Sequence, residues 1–358
     1  MSDKTAIEWT DATWNPIRGC SRVSDGCRHC YAETVANRFK GEGQPYEGLI
    51  AKGGQWNGKI VEIDDLIDQP LRWRRPRRIF VNSMSDLFHE NVPDDTIDRI
   101  FAVMAVAERH TFQVLTKRPE RMRSYLSQDR RREWADWAVN LWGGVDSDAL
   151  HDAIMADDKV LPNVWLGVSV EHQKAADERI PHLLATPAAV RWISAEPLLG
   201  PVDLDCWPET GCSRNWLDEE GGIDWVVVGG ESGPHARPMH PEWARSLRDQ
   251  CAAAGVPFLF KQWGEWAPTI HAYDTDPSRL LLPDGTAYTP ERGDEFEKAV
   301  TVRRVGKKSA GRLLDGVQHD GYPEMALNGR EPAEVGNVVA ALIYRGAVKT
   351  ENRKLVVA

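Results

Sequence analysis

Seven short apolar runs, spread through the first 263 residues with helical segments between them, constrain this fold more than any other feature. They are Thr13–Arg18, Arg78–Asn82 (RIFVN), Thr111–Thr116 (TFQVLT), Val164–Val170 (VWLGVSV), Val190–Ser194 (VRWIS), Asp224–Gly229 (DWVVVG) and Pro257–Gln262 (PFLFKQ). Short continuous apolar runs of this kind read as strands covered on both faces, the pattern of a parallel sheet. The intervening segments carry helical spacing. Ile97, Ile100, Phe101 and Met104 fall at i, i+3, i+4 and i+7 behind the acidic pair Asp94 and Asp95, and Ala176, Ile180, Leu183 and Leu184 repeat the pattern. Another helix opens at Pro241, puts Trp243, Leu247 and Cys251 on one stripe and stops at Gly255. Strict alternation predicts an α/β fold over residues 1–263: an incomplete (β/α) barrel of about six or seven parallel strands rather than an open sheet.

Two stretches fall outside the repeat. Gly41–Gly58 is rich in Gly and Gln and reads as a loop excursion after the first helix. From about Gly264 the alternation fades. Leu280–Tyr288 holds Pro-Asp-Gly between apolar residues, a hairpin signal, and Lys307–Gly316 (KKSAGRLLDG) is basic and then turn-like. Residues 264–358 therefore read as an appended region that packs on the barrel and could reach over its mouth.

Composition narrows the class. A 42% hydrophobic content supports a substantial core, and a net charge of −10 argues against a generally basic nucleic-acid binder while leaving room for a local basic groove. The first twenty residues hold no apolar signal core, and no apolar run is long enough to span a bilayer. A cytoplasmic protein without a membrane partner is the expectation. Six cysteines in 358 residues make no disulfide scaffold.

Three of those cysteines, Cys20, Cys27 and Cys30 in GCSRVSDGCRHCYAE, are spaced C-x6-C-x2-C with no fourth nearby. A cubane iron–sulfur cluster normally takes four thiolates, so three leave one iron open to a small molecule. The trio lies where the first strand gives way to a helix beginning near Tyr31, at the strand end where α/β folds place their chemistry. Zinc is the rival: a Cys3His site would need His29, His89 or His172 as its fourth ligand. Cys206 and Cys212, in an irregular insertion, read as unpaired thiols, and Cys251 as core.

The carboxyl ends of the strands are unusually polar. They carry Asn82, Ser83, Asp86 and His89; Lys117 and Arg118; Ser169, Glu171 and His172; Ser194 and Glu196; Gly229, Gly230, Glu231, Ser232 and Gly233; and Lys261 and Gln262. Buried charge is unfavourable unless paired or employed, and so many ends converging on one face point to a site. The Gly229–Gly233 turn could bring backbone amides close to a nucleotide or carboxylate. Arg72, Arg74, Arg75, Arg77 and Arg78, with Trp73, form the densest basic patch, at the opposite end of the barrel. Lys117, Arg118, Arg121 and Arg123 lie nearer the mouth and are candidate phosphate contacts.

Together these residues resemble a known family. The three-cysteine loop with an incomplete barrel behind it resembles the radical S-adenosylmethionine superfamily. More closely, CSRVSDGCRHCYAE, VNSMSDLFHE, LTKRPERM, GVSVE, ISAEPLLGP, VVVGGESG and FLFKQWGEW are similar to the phage-associated three-cysteine family of unknown function, often linked to spore-photoproduct-lyase-like proteins. The likeness runs from about residue 6 to 266. The superfamily's usual spacing is C-x3-C-x2-C with an aromatic before the last cysteine; here three extra residues separate the first two and His29 stands at the aromatic position.

The resemblance implies a [4Fe–4S] cluster on Cys20, Cys27 and Cys30 whose fourth iron is chelated by S-adenosylmethionine. It also implies a 5′-deoxyadenosyl radical as the oxidant of substrate, and an electron donor such as a flavodoxin or ferredoxin. Asn82, Ser83, Ser169 and Glu171 become candidates for the cofactor's polar groups, and Gly229, Gly230 and Glu231 for its adenosine side. Lys117, Glu196 and Lys261 remain for substrate polarisation or proton transfer, with a nucleobase or nucleic acid as the substrate class. The contrasting expectation is an iron–sulfur or zinc protein that binds nucleic acid without catalysis.

Overall fold

The computed structural model describes residues 5–141, 147–156, 160–206, 214–218, 221–269, 278–289 and 298–324. Seven parallel strands form one sheet in chain order: β1 (Ala12–Trp14), β2 (Arg78–Val81), β3 (Thr111–Thr116), β4 (Val164–Ser169), β5 (Val190–Ala195), β6 (Trp225–Gly229) and β7 (Phe258–Gln262). Curled with β1 and β7 as its edges, this sheet is the open half-barrel that the apolar runs predict.

The first run is the exception. The chain leaves the sheet after Trp14, and Ile17–Arg18 turns aside to pair antiparallel with Val61–Glu62. Pro16 has no N–H for a ladder, and its carbonyl accepts instead from Ile63. Asn15 uses its side chain to hold the end of β2, accepting from Ser83 Oγ at 3.1 Å and Met84 N at 3.0 Å.

Among the described residues seven longer helices connect these strands, four of them where the sequence signals place a helix. They are α1 (Tyr31–Arg38), α2 (Asp94–Val106), α3 (Pro119–Leu126), α4 (Arg131–Leu141), α5 (Ser147–Ala156), α6 (Gln173–Leu184) and α7 (Pro241–Ala254). α7 has Pro241 in its first turn and ends on Gly255 at φ +71°, a left-handed conformation that favours glycine. Histidines cap two of them: His172 Nδ1 accepts from Ala175 N at the start of α6, and His240 Nδ1 from Glu242 N at α7.

Side chains alternate across the strands, and the two faces build different cores. Outward residues such as Ile79, Val81, Phe112, Val114, Leu166, Val168, Ile193, Val226 and Val228 pack under the helices. Inward residues of the lower strands are aromatic: Phe80, Trp165, Trp192 and Trp225 gather with Trp9 from the N-terminal segment. Trp9 lies 4.7 Å from Phe80 and 5.2 Å from Trp192, ring centre to ring centre. Gly167 makes room for this floor, because a Cβ there would come within 2.5 Å of the Trp192 ring. Small or polar residues face inward above it.

The described residues beyond β7 lie against both ends of the barrel. Four antiparallel strands, β8 (Trp266–Pro268), β9 (Ser278–Leu281), β10 (Ala287–Tyr288) and β11 (Val300–Arg304), form a second sheet in the order β8-β11-β9-β10, which includes the predicted hairpin. This sheet borders the loop after β6: Trp266 Nε1 donates to Ala236 O and Arg304 Nη2 to Gly233 O. Farther on, residues 319–321 run beside the β7 edge, with Phe260 N donating to His319 O and Gly321 N to Phe258 O. Tyr322 then sits beneath the floor, its ring 5.2 Å from Trp225 and its hydroxyl on Glu8 O. Cys206 and its neighbours make a two-residue ladder with Arg214–Asn215, while Cys212 lies outside the described residues.

Candidate functional site

The pleat sorts the predicted strand-end residues. Asn82, Lys117, Ser169, Glu171, Glu196, Gly229, Glu231 and Lys261 all fall on the parity of the inward-facing floor residues, counting by twos from Phe80, Gln113, Trp165, Trp192, Trp225 and Leu259. Ser83 and Gly230 fall on the other parity. The polar rim and the aromatic floor are thus two levels of one lumen.

Over this rim lies the cysteine loop. Cys20, Cys27 and Cys30 are free thiols, and Cys30 is the residue before α1. Burial pushes the Cys20 thiol up to about 12, with the Asp86 carboxylate adding to the rise and the Arg118 guanidinium opposing it; Cys27 and Cys30 are close enough to act on it too. Cys30 is also raised, again mainly by burial. Among the described residues no three His, Cys, Asp or Glu side chains are gathered as a single metal ion needs.

The six residues between Cys20 and Cys27 are held from several directions. Ser21 receives Arg118 Nη2 on its hydroxyl at 2.8 Å and on its carbonyl at 3.1 Å. Its hydroxyl also meets His89 Nε2 at 2.9 Å; because His89 Nδ1 accepts from Asn91 N, the neutral ring donates through Nε2. Arg22 forms a fork with Glu33 of α1, whose carboxylate also accepts from Trp56 N. Ser24 donates to Glu171 Oε1 at 2.8 Å, and Arg237 Nη2 donates to Asp25 O at 3.0 Å. Gly26 lies against Glu171 so closely that a Cβ would stand 2.3 Å from Oε1.

Each of those holding groups is itself paired. Glu171, fully buried, takes Arg179 at 2.8 Å and Lys117 at 3.4 Å; burial, the largest single effect, pushes its carboxyl up, but Lys117, Arg179 and the Ser24 hydrogen bond together hold it below the usual range. Glu231 takes Arg237 through both oxygens, at 2.6 and 2.9 Å. Arg118 binds Asp86 at 3.1 Å and Glu90 at 2.8 Å, and its Nη1 lies 3.9 Å from Cys20 Sγ.

On the far side of the rim Lys261 Nζ donates to both oxygens of Glu196, at 2.7 and 2.9 Å, and Gln262 Nε2 adds a contact at 3.3 Å. Gly229 passes flat beneath this pair; a Cβ there would be 3.2 Å from Glu196 Cδ. Asn82 ends β2 at φ +58°, buried, with neither amide atom hydrogen-bonded. Tyr31 reaches back from α1 to donate to Ser83 O at 2.5 Å; burial of its hydroxyl raises the pKa, with Cys30 second, although half the ring stays exposed.

Several sequence expectations change on contact with this geometry. Arg118 and Arg121 are not free for phosphate: Arg121 is engaged by Asp94 and Val92 O, and Arg118 by the loop. Gly230 sits at a close backbone crossing, where a Cβ would meet Trp263 O at 1.9 Å, and its own N–H is taken by Gln262 O at 2.9 Å. Of the imagined zinc ligands, His172 caps α6, His89 holds Ser21, and the His29 ring lies 5.8 Å from His235. At the other end, Arg78 pairs with Asp11 and Arg72 with Asp68.

Arg22, Glu33, Arg179 and Arg237 were missed by reading strand ends alone. Arg22 lies inside the cysteine motif and could have been suspected there. Glu33 closes the same motif, whereas Arg179 and Arg237 come from a helix and a loop and carry no local signal.

The family described as "Protein of unknown function (DUF5131)" matches residues 4–323. No curated protein matches the chain. Two solved structures are similar in outline. One is a spore photoproduct lyase complexed with a dinucleoside spore photoproduct, at 11% identity and TM-score 0.34; the likeness covers 64% of this chain and 58% of that one. The other is a cysteine-to-serine mutant of spore photoproduct lyase, at 10% identity and TM-score 0.37, covering 71% of this chain and 76% of that one.

Proposed function

This chain belongs to the DUF5131 family, and from its site we propose that it is an iron–sulfur enzyme of the radical S-adenosylmethionine type. The observation that carries the proposal is the donor set: three free thiols on one loop held over the carboxyl ends of a half-barrel, with His89 and His172 already hydrogen-bonded to other groups. A cubane bonds each thiolate to a different iron and asks for three sulfurs that are spread but mutually close. When bound, the cluster and S-adenosylmethionine supply a reducing electron and a deoxyadenosyl radical.

The protein's own residues do the rest. Cys20, Cys27 and Cys30 ligate, and Arg118 offers an N–H toward the Cys20 sulfur, which favours its thiolate form. The orphaned Asn82 amide can donate and accept at the rim, the kind of group a cofactor's amino and carboxylate ends require. Ser169 and Gly229 share its inward parity, and Ser83 follows it at the end of β2. Lys261 holds a proton at Nζ against Glu196, placed to polarise substrate or return a proton, while Lys117 is tied to Glu171. Trp9, Trp192 and Trp225 close the lumen beneath and exclude water. A nucleobase or nucleic acid remains the proposed substrate class, and a flavodoxin or ferredoxin the proposed donor.

The experiment is anaerobic reconstitution with iron and sulfide, then incubation with dithionite and S-adenosylmethionine. The expected result is a brown protein that releases 5′-deoxyadenosine, with both properties lost in Cys27→Ala. A protein that stays colourless and iron-free overturns the proposal.

A further inference from the structure

The six-residue span from Ser21 to Gly26 is longer than a tight cluster loop requires, and a span of that length ordinarily gains its order from the metal it binds. Here the contacts run the other way. Three side chains from the ends of three different strands grip it: Arg118 after β3 on Ser21, Glu171 after β4 on Ser24, and Arg237 in the loop after β6 on the Asp25 carbonyl. Arg118 and Glu171 are themselves fastened by partners that do not belong to the loop, Asp86 with Glu90 and Lys117 with Arg179, and Arg237 is fastened by Glu231.

We propose that Arg118, Glu171 and Arg237 are positioning residues that set the path of the cysteine loop before any metal arrives, so that the three thiols are placed by the barrel and not by the cluster. The inference rests on the proposed cluster for its purpose, but not for its test. Gly26 supports it: the loop turns hard against Glu171, leaving no space for a methyl group, as a docked segment would and a loose one would not. The buried, over-determined state of Glu171 supports it as well, because ligand-supporting groups act only when their own orientation is locked. The loop also has internal order to protect, with Cys27 N donating to Ser24 O and Arg28 N to Asp25 O.

The test is hydrogen exchange on the full chain purified metal-free with a chelator, following the peptide from Cys20 to Arg28. The wild type should protect this peptide without iron. Ser24→Ala removes only the loop's half of the Glu171 contact, and should speed exchange there at least tenfold while peptides from β2 to β4 are unchanged; Ser24→Thr should restore protection. Gly26→Ala should act like Ser24→Ala by wedging the loop off Glu171, and Arg237→Gln should do so through Asp25. After reconstitution, the same variants should lose iron to a chelator several-fold faster than wild type. A metal-free wild type whose loop exchanges at the unprotected rate, or a Ser24→Ala loop indistinguishable from wild type, overturns the proposal. If the chain never takes up iron the cluster reading fails, yet the exchange result still decides this one.

Discussion

Replacing Gly230 with Ala should loosen the seam between β6 and β7 that brings Glu196 and Lys261 together. A Cβ at position 230 would stand 1.9 Å from Trp263 O and 2.6 Å from its carbonyl carbon, and both atoms are backbone. Reaching ordinary contact near 3.4 Å demands about 1.5 Å of separation. The crossing cannot part that far and keep its bonds, Gly230 N to Gln262 O at 2.9 Å and Glu265 N to Glu231 O at 3.0 Å. Over-packing of about 1–3 kcal/mol and about 1 kcal/mol for each lost hydrogen bond give a penalty of roughly 3–5 kcal/mol. With about 2.1 cal/mol/K of unfolding entropy per residue, the chain loses roughly 1.3 °C per kcal/mol, so Tm should drop by about 4–6 °C. Thermal unfolding followed by circular dichroism measures this, with Gly53→Ala as the control, since nothing lies within 4 Å of a Cβ there. A Gly230→Ala protein melting within about 1 °C of the parent refutes the argument. Normal stability with lost cofactor affinity would instead restore the nucleotide cradle expected from the glycine-rich turn.

Three further outcomes are expected. Lys261→Met should lower stability by about 2–3 kcal/mol in urea unfolding, because it strands the largely buried Glu196 carboxylate, and adding Glu196→Leu should recover at least 1 kcal/mol, roughly, of that loss. His110 is buried on Pro70 O, and burial followed by the Arg109 cation lowers its pKa from 6.5 to about 4. A folded value below the unfolded one makes its contribution complete above pH 6.5 and lost as pH falls toward 4, by roughly 3 kcal/mol in all, a slope His110→Gln should flatten in unfolding curves taken across that range. Gly167→Ala should disturb the aromatic floor, where its Cβ would lie 2.5 Å from Trp192 Nε1, and the change should appear as an altered near-ultraviolet circular dichroism band and a lowered Tm.

Local patterning determined the architecture. Seven apolar runs, the acidic first turn of α2 and the Pro241–Gly255 bracket of α7 are written within a few residues each, so strand number, strand direction and helix placement could be read before any contact was known. The polar parity at the strand ends and the cysteine spacing were legible for the same reason. Even the largest boundary difference, at Thr13–Arg18, traces to Pro16, a residue whose missing N–H was in plain view. What the tertiary structure alone decided is the employment of the polar groups. Glu171 meets Ser24, Arg118 meets Ser21 and Gly230 meets the Trp263 carbonyl, because each contact depends on which distant side chain or backbone arrives beside it. Periodicity is a property of neighbours along the chain and survives in the sequence. A charge's partner can lie 147 residues away, as with Glu171 and Ser24, or 212, as with Arg237 and the Asp25 carbonyl, and is selected only once the barrel has curled.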